Sequence, residues 1–454
     1  MIPGPRDLWF LPLGGTGEIG MNLNLYGHDG SWLMVDCGVT FERSPGARQA
    51  RVEMPDPAFA VANRARLAGI VATHAHEDHL GALPWLWPLL RSPLYTTPFT
   101  AAVLRRKCEG REAEVPAPLN VVAPGDRRQL GPFTVQWLPM THSTPETCAL
   151  HITCPAGSVL HTADWKIDPA PVVGPAFDAA PFAALGDGRL DAVVCDSTNA
   201  LRPGRSPSEG ELAQGLGAAL AAQRGRVVVA CFASNVARLH TLLAAGRAAG
   251  RYAGLLGRSL RTMADCARAC GYLAAGDRLA PSSHLGYLPP REVLAIATGS
   301  QGEAGAALDR LARDDHPDLS LEPGDCVLFS ARTIPGNEAA VARLRQRFGE
   351  RGITVLHADD DRGPPLHASG HPCSDELADL YRWLRPRLAV PVHGEPPHLA
   401  ANAATARAAG VRLALTGANG DLFHLAPEPG VRRRAVPTGR WTPAVDGTLQ
   451  TVSP

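Results

Sequence analysis

From about Arg226 onward the chain changes rhythm. RVVVACF is followed by NVARLHTLLAAGRAAG, YAGLLG by SLRTMADCARACG, VLAIATG by AGAALDRLARD, and DCVLFS by NEAAVARLRQRFG. Short apolar runs alternating with segments of helical length demand crossover connections and a mostly parallel sheet. The first third obeys another rule. LWFLPLG, MNLNLYG, SWLMVDCG, AGIVATH, PLYTTP, NVVAP, FTVQWLPMTH, CALHITCP and SVLHTAD read as strands and hairpins, with one helical stretch from about Pro98 to Glu109. One core cannot serve both patterns, and 454 residues suffice for two or three units. ITVLHA, a helix near Ser374 to Leu384, LAVPVHGE and a helix near His398 to Ala409 fit either unit. Beyond Ala426 the Pro- and Gly-rich chain, with Arg432, Arg433 and Arg434 together, reads as an extended or loosely packed tail.

Charge excludes one class of argument. The 44 basic residues balance 44 acidic ones, so no global field draws in a polyanion and any nucleic-acid contact must be local. Nearly all the positive charge is arginine, with Lys107 and Lys166 the only lysines, a pattern that suits phosphate contacts but reads more simply as codon bias. The ten cysteines form no C-x-x-C pair, and Cys195, Cys231 and Cys326 lie in apolar runs, which points to a reduced, cytoplasmic protein. The N-terminus carries no signal-peptide pattern, and no uncharged apolar run reaches the ~20 residues of a membrane span.

Gly15-Thr16-Gly17-Glu18-Ile19-Gly20 spells G-x-G-x-x-G, yet a hairpin pattern follows it rather than the helix a dinucleotide site requires. The chemistry lies instead in VATHAHEDHLG. His74, His76, Asp78 and His79 leave a buried strand on a loop, where His74 and His76 can converge on one ion while Asp78 and His79 reach a second. His142, Asp164 and His393 close three further strands. Together they make two sites: His74, His76 and His142 on one ion, Asp78, His79 and His393 on the other, with Asp164 bridging. Asp36, closing SWLMVDCG, is assigned to orienting ligands or the attacking water. Any one of the three later residues alone reads as structural.

This ordered set resembles the metallo-β-lactamase superfamily, and the intervening α/β insert resembles its β-CASP branch. LGGTGEIGMN, VATHAHEDHLGALP, THSTPE, HTADWKID, DSTNA, FASNVARL, ATGSQGE, IPGNE, HASGH and PVHGE are similar, in the same order, to segments of the ribonuclease J family over about residues 10 to 425. The resemblance implies an αββα sandwich with an inserted β-CASP domain: residues 1–200 and 367–428 for the sandwich, 201–366 for the insert, and 429–454 as a C-terminal tail. It also implies that His371 protonates the leaving oxygen with help from Asp196, alongside Asp78 and Asp36 as catalytic groups. Turns at Ser234, Ser300 and Ser369, with His367, match the family's RNA path, although helix capping alone accounts for the serines.

The expected activity is a zinc-dependent ribonuclease with two Zn2+ per chain, replaceable by Mn2+. It would work 5′-to-3′ on single-stranded RNA bearing a 5′-monophosphate, with endonuclease activity besides, leaving 5′-phosphate and 3′-hydroxyl ends. Two features depart from the family. Pro396-Pro397 stand where relatives usually carry Tyr-Arg, and the family's small C-terminal domain does not follow before Pro454, which leaves the usual homodimer or tetramer open. Two rival readings are a small-molecule hydrolase of lactonase or thioesterase type, and a non-catalytic RNA-binding paralogue.

Overall fold

The computed structural model describes residues 1–42, 50–109, 117–188, 190–274, 279–334, 336–358, 360, 364–444 and 446–452. Position 335 of the IPGNE motif and the last two residues of the tail lie outside them.

Two sheets face each other across an apolar interior. The first has eight strands in the order Gly430–Arg432, Leu422–Ala426, Leu8–Gly14, Leu23–His28, Ser31–Val35, Leu67–Val71, Leu94–Thr96, Leu119–Val121. The second has seven, ordered Leu413–Ala414, Leu388–Val392, Ala192–Asp196, Gly157–His161, Cys148–Cys154, Phe133–Pro139, Arg127–Leu130. Leu8, Phe10, Tyr26, Leu33 and Val71 of the first meet Val135, Trp137, Ile152, Val194 and Val390 of the second in one continuous cluster. The outer face of the second sheet is covered by helices Ala180–Asp187, Ser374–Leu384 and Pro396–Ala408. Helices Leu83–Leu90 and Pro98–Cys108 cover the first. Strands apolar on both faces are what such a four-layer arrangement requires.

The alternating segment forms a third, five-stranded, wholly parallel sheet in the order Tyr252–Leu256, Val293–Ala297, Val227–Ala230, Cys326–Phe329, Thr354–His357. ITVLHA therefore belongs to this insert, whereas LAVPVHGE returns to the sandwich. The insert leaves after Ala192–Asp196 and comes back as Leu388–Val392, its parallel neighbour, paired from Ala192↔Leu388 to Asp196↔Val392. The cysteines are unpaired and most are buried, and no helix among the described residues is long and apolar enough to cross a membrane.

Three expectations change. The first third holds more helix than one stretch: Leu83–Leu90 is helical despite Pro88, the lost hydrogen bond and ring clash being offset as Leu83, Leu86, Trp87 and Leu90 bury a single face. Asp78 and His79 sit on a one-turn helix, Glu77–Leu80, rather than on open loop. The tail is extended, as expected, but not loosely packed. Arg440–Pro443 pairs with Arg51–Pro55 and with Leu449–Thr451 in a fourth sheet. The Arg440 guanidinium donates to Glu53, 2.8 Å away, and to Glu18, 2.7 Å away.

Candidate metal centre

The ligand-type side chains gather where strands of both sheets end. Leu67–Val71 runs into Thr73 and His74, Ser31–Val35 into Asp36, Gly157–His161 into Asp164, and Leu388–Val392 into His393. His74, His76, His142 and Asp164 offer donor atoms all within 4.8 Å of one another, as do Asp78, His79, Asp164 and His393. A third set, Asp164, Asp196, His371 and His393, satisfies the same distance. Asp164 belongs to all three.

Hydrogen bonds on the far side of His74, His79, His142 and His393 decide which nitrogen of each faces the cluster. Asp36 Oδ2 accepts from His79 Nδ1 at 2.8 Å, and its other oxygen accepts from the Thr73 amide at 2.8 Å. His74 Nδ1 donates to Thr73 Oγ1 at 3.0 Å, and its Nε2 is buried with no hydrogen-bond partner. The Gly370 carbonyl accepts from His142 Nδ1 at 2.5 Å, and His142 Nε2 then lies 3.1 Å from His76 Nδ1. His393 Nδ1 donates to Thr198 Oγ1 at 2.8 Å, leaving Nε2 3.1 Å from Asp78 Oδ2. Outer partners that fix tautomer and ring orientation are the usual mark of imidazoles arranged for a metal.

Electrostatics divide the cluster. Burial pushes His74 and His142 well below the ordinary histidine value, reinforced by neighbouring imidazoles, and takes His76 down to about 4. Burial pushes His79 and His393 the same way, but Asp164 and the nearby carboxylates outweigh it and hold both well above that value. Asp164 is itself held well below the carboxylate range, as His393 and His79 overcome its burial. Neutral imidazoles with inward lone pairs on one side, and a carboxylate-rich pocket on the other, fit a divalent cation. The orphaned Nε2 of His74 has no other evident use.

Beside this pocket, His371 Nδ1 donates to Asp196 Oδ2 at 2.8 Å. Asp196 and Asp164 raise the His371 pKa against the effect of burial. Thr198 Oγ1 donates to the other Asp196 oxygen at 2.7 Å, so Asp196 serves His371 directly and His393 through one hydroxyl. Ser369 Oγ accepts from Asn199 at 2.8 Å and from the His371 amide at 3.2 Å, which places it in the turn carrying His371. His367 lies 3.3 Å from the Ser330 carbonyl, its pKa pushed down by burial and by Arg238 and Arg332. Ser234 is half-buried just before helix Val236–Ala248, whose capping is done by Asn235, accepting from the Arg238 amide at 2.8 Å. Ser300 is buried and lies well before the next helix, Ala307–Ala312, so it is not a helix-start residue.

Several neighbours escaped the sequence reading. Asn22, after the glycine loop, has its amide nitrogen 3.1 Å from both His79 Nε2 and the Asp78 carbonyl. Lys107 grips Glu77 through both carboxylate oxygens at 2.6 and 2.7 Å. The glycine loop itself serves the site: Gly15 O accepts from the His393 amide at 2.7 Å, and at φ +83° a Cβ there would lie 2.1 Å from Asn22 Oδ1. Thr198 stood within DSTNA and Asn22 within LGGTGEIGMN, but nothing in either motif names the partner. Gly370 acts through its carbonyl, which leaves no side-chain signal at all.

Two helix-flanked sheets with a histidine and aspartate pocket at their strand ends, interrupted by a parallel-sheet insert, define a metallo-β-lactamase-fold hydrolase with a β-CASP domain. Family models agree: "Metallo-beta-lactamase superfamily" matches residues 20–180, "Ribonuclease J, beta-CASP domain" residues 224–348, and "Zn-dependent metallo-hydrolase RNA specificity domain" residues 365–415. A ribonuclease J of Sinorhizobium meliloti is 43% identical over 450 residues, covering 98% of this chain and 78% of its own. Those of Mycolicibacterium smegmatis and Mycobacterium tuberculosis are 39% and 36% identical, covering 90% and 98% of this chain and 72% and 80% of theirs. A solved protein of unknown function from Enterococcus faecalis shares the fold at TM-score 0.63 and 15% identity, over 92% of this chain and 100% of its own. The chain belongs to the ribonuclease J family. It is accordingly a metal-dependent, hydrolytic ribonuclease.

Proposed function

We propose that this enzyme degrades single-stranded RNA from a 5′-monophosphorylated end in the 5′-to-3′ direction and also cuts internally, with two Zn2+ per chain, replaceable by Mn2+, in the cytoplasm. The single observation that carries the two-ion reading is Asp164, whose carboxylate is shared between a three-histidine set and an Asp78, His79, His393 set. His74, His76 and His142 would hold one ion, Asp78, His79 and His393 the other, with Asp164 between them. When bound, such ions supply a nucleophile at neutral pH and stabilise charge on the phosphoryl oxygens.

The chain's own groups do the remaining work. Asp36 and Thr73 hold His79 and His74 in the tautomers that ligate. His371, kept protonated by Asp196, gives its proton to the O3′ that departs as the O3′–P bond breaks. The water oxygen stays on phosphorus, so the products are a 3′-hydroxyl and a 5′-phosphate, and the proton returns to His371 from solvent. Ser234, Ser300, His367 and Ser369 are assigned to holding the RNA.

The test uses end-labelled RNAs bearing 5′-monophosphate, triphosphate or hydroxyl, with wild type, His76→Ala and His371→Gln. Mononucleotides should appear first from the monophosphate and vanish with His76→Ala. His371→Gln should lose at least a hundredfold on RNA but far less on a p-nitrophenyl phosphodiester, whose leaving group needs no proton. An equal loss on both substrates rejects His371 as the acid.

A further inference from the structure

The loop carrying His142 is gripped from two sides by chain belonging to, or arriving from, the insert. On one side is Gly370, in the returning segment, whose carbonyl accepts from His142 Nδ1; a Cβ at Gly370 would lie 2.6 Å from His142 Cε1, so the two fit face to face. On the other is Glu146, four residues beyond His142. Its backbone takes the left-handed conformation, φ +60°, which is strained for a non-glycine residue and persists only when its surroundings enforce it.

The enforcement comes from both carboxylate oxygens. Oε2 accepts from the Phe99 amide at 2.7 Å, at the start of helix Pro98–Cys108. Oε1 accepts from the hydroxyl of Tyr272 at 2.8 Å. Tyr272 belongs to the insert: it follows helix Arg258–Ala269, and its amide donates to the Ala267 carbonyl at 2.7 Å. Its ring stands edge-on to Phe99, centroids 6.1 Å apart at 84°. Capping Phe99 needs one oxygen of Glu146 and asks nothing of the insert. The second oxygen is spent on a bond across the junction of the two units.

We propose that Tyr272 is a positioning residue for His142: acting through Glu146, it lets the insert set the ligand loop from one side while Gly370 sets it from the other. Binding RNA against the insert and binding metal in the sandwich are then coupled through one short loop. The inference rests on reading the cluster as a metal centre.

Tyr272→Phe removes one oxygen and keeps the ring against Phe99. Titrating the full chain with Mn2+ alone should show affinity about three- to tenfold weaker, less than the ten- to hundredfold typical when a direct partner of a ligand is lost. The visible spectrum of the Co2+-loaded protein should shift. On RNA, kcat should fall several-fold with KM unchanged, Glu146→Gln should show a smaller change in the same direction, and the exposed Tyr287→Phe none. Wild-type Mn2+ affinity, Co2+ spectrum and kcat in Tyr272→Phe overturn the proposal, even if that variant melts earlier. So does a raised KM with intact kcat, which would make Tyr272 part of the RNA surface. Wild type that neither binds Mn2+ nor cuts RNA overturns the metal-centre reading itself.

Discussion

At the scale of single residues, the centre is built from pairs in which one group faces the pocket and the other aims it. Thr198 is the most economical of these, since one hydroxyl joins Asp196 to His393. Replacing it with valine should weaken metal binding about tenfold and lower kcat by a similar factor, with serine restoring most of both; calorimetry and RNA cleavage check it. The split in histidine charge has a separate consequence. His79 and His393, their pKa values raised by the surrounding carboxylates, are expected to hold protons that a metal must displace, whereas His74, His76 and His142, lowered by burial, are expected to be neutral. Affinity at the carboxylate-rich side should therefore rise with pH through neutrality, and that at the three-histidine side should be flat down to about pH 4. Calorimetry in buffers of different ionisation enthalpy should count roughly two protons released, all belonging to the first of these steps.

At the scale of elements, what the sequence made legible was periodicity and punctuation. The strand-helix alternation after Arg226 could be read because each apolar run is short and bounded by turn residues. Leu83–Leu90 was overlooked although Leu83, Leu86, Trp87 and Leu90 keep helical spacing, because two prolines in eight residues masked it. The tail strand Arg440–Pro443 owes its place to Glu18 and Glu53, hundreds of residues earlier, a dependence that no local pattern carries. His142, Asp164 and His393 were readable because each follows a strand, and His74, His76, Asp78 and His79 because of their close spacing, while Asn22, Gly370 and Tyr272 were not, since their partners are fixed only by tertiary packing. Glu376 illustrates the same limit: fully buried in helix Ser374–Leu384, its carboxylate accepts from the amides of Ile167, Ser206 and Cys373, each at 2.8 or 2.9 Å. Glu376→Ala strands those three donors and should cost about 3 kcal/mol or more in urea unfolding, with Gln recovering part.

At the scale of the whole molecule, a buried ion pair ties the connection that leaves the sandwich to the body of the insert. Arg238, 1% exposed, donates to Glu209 at 2.9 and 3.2 Å and to Ser330 at 2.6 Å. Glu209 lies on the outgoing connection, Arg238 on the first helix after strand Val227–Ala230 of the insert, and Ser330 just past strand Cys326–Phe329. Arg238→Met leaves a carboxylate buried without its partner and should destabilise by about 3–5 kcal/mol, whereas Arg238→Met with Glu209→Met should recover much of that loss. Equal unfolding midpoints for the single and double variants would rule this out.

The pairing of Ala192–Asp196 with Leu388–Val392 sets a scale for change in this architecture. Asp196 and Val392 are opposite rungs, so the spacing between Asp196 and the adjoining His393 belongs to a ladder of main-chain bonds and not to whatever is spliced between them. Away from the Tyr272 contact, the inserted half is thus free to lengthen, shrink or reshape over generations, while the ruler that spaces Asp196 from His393 stays the same.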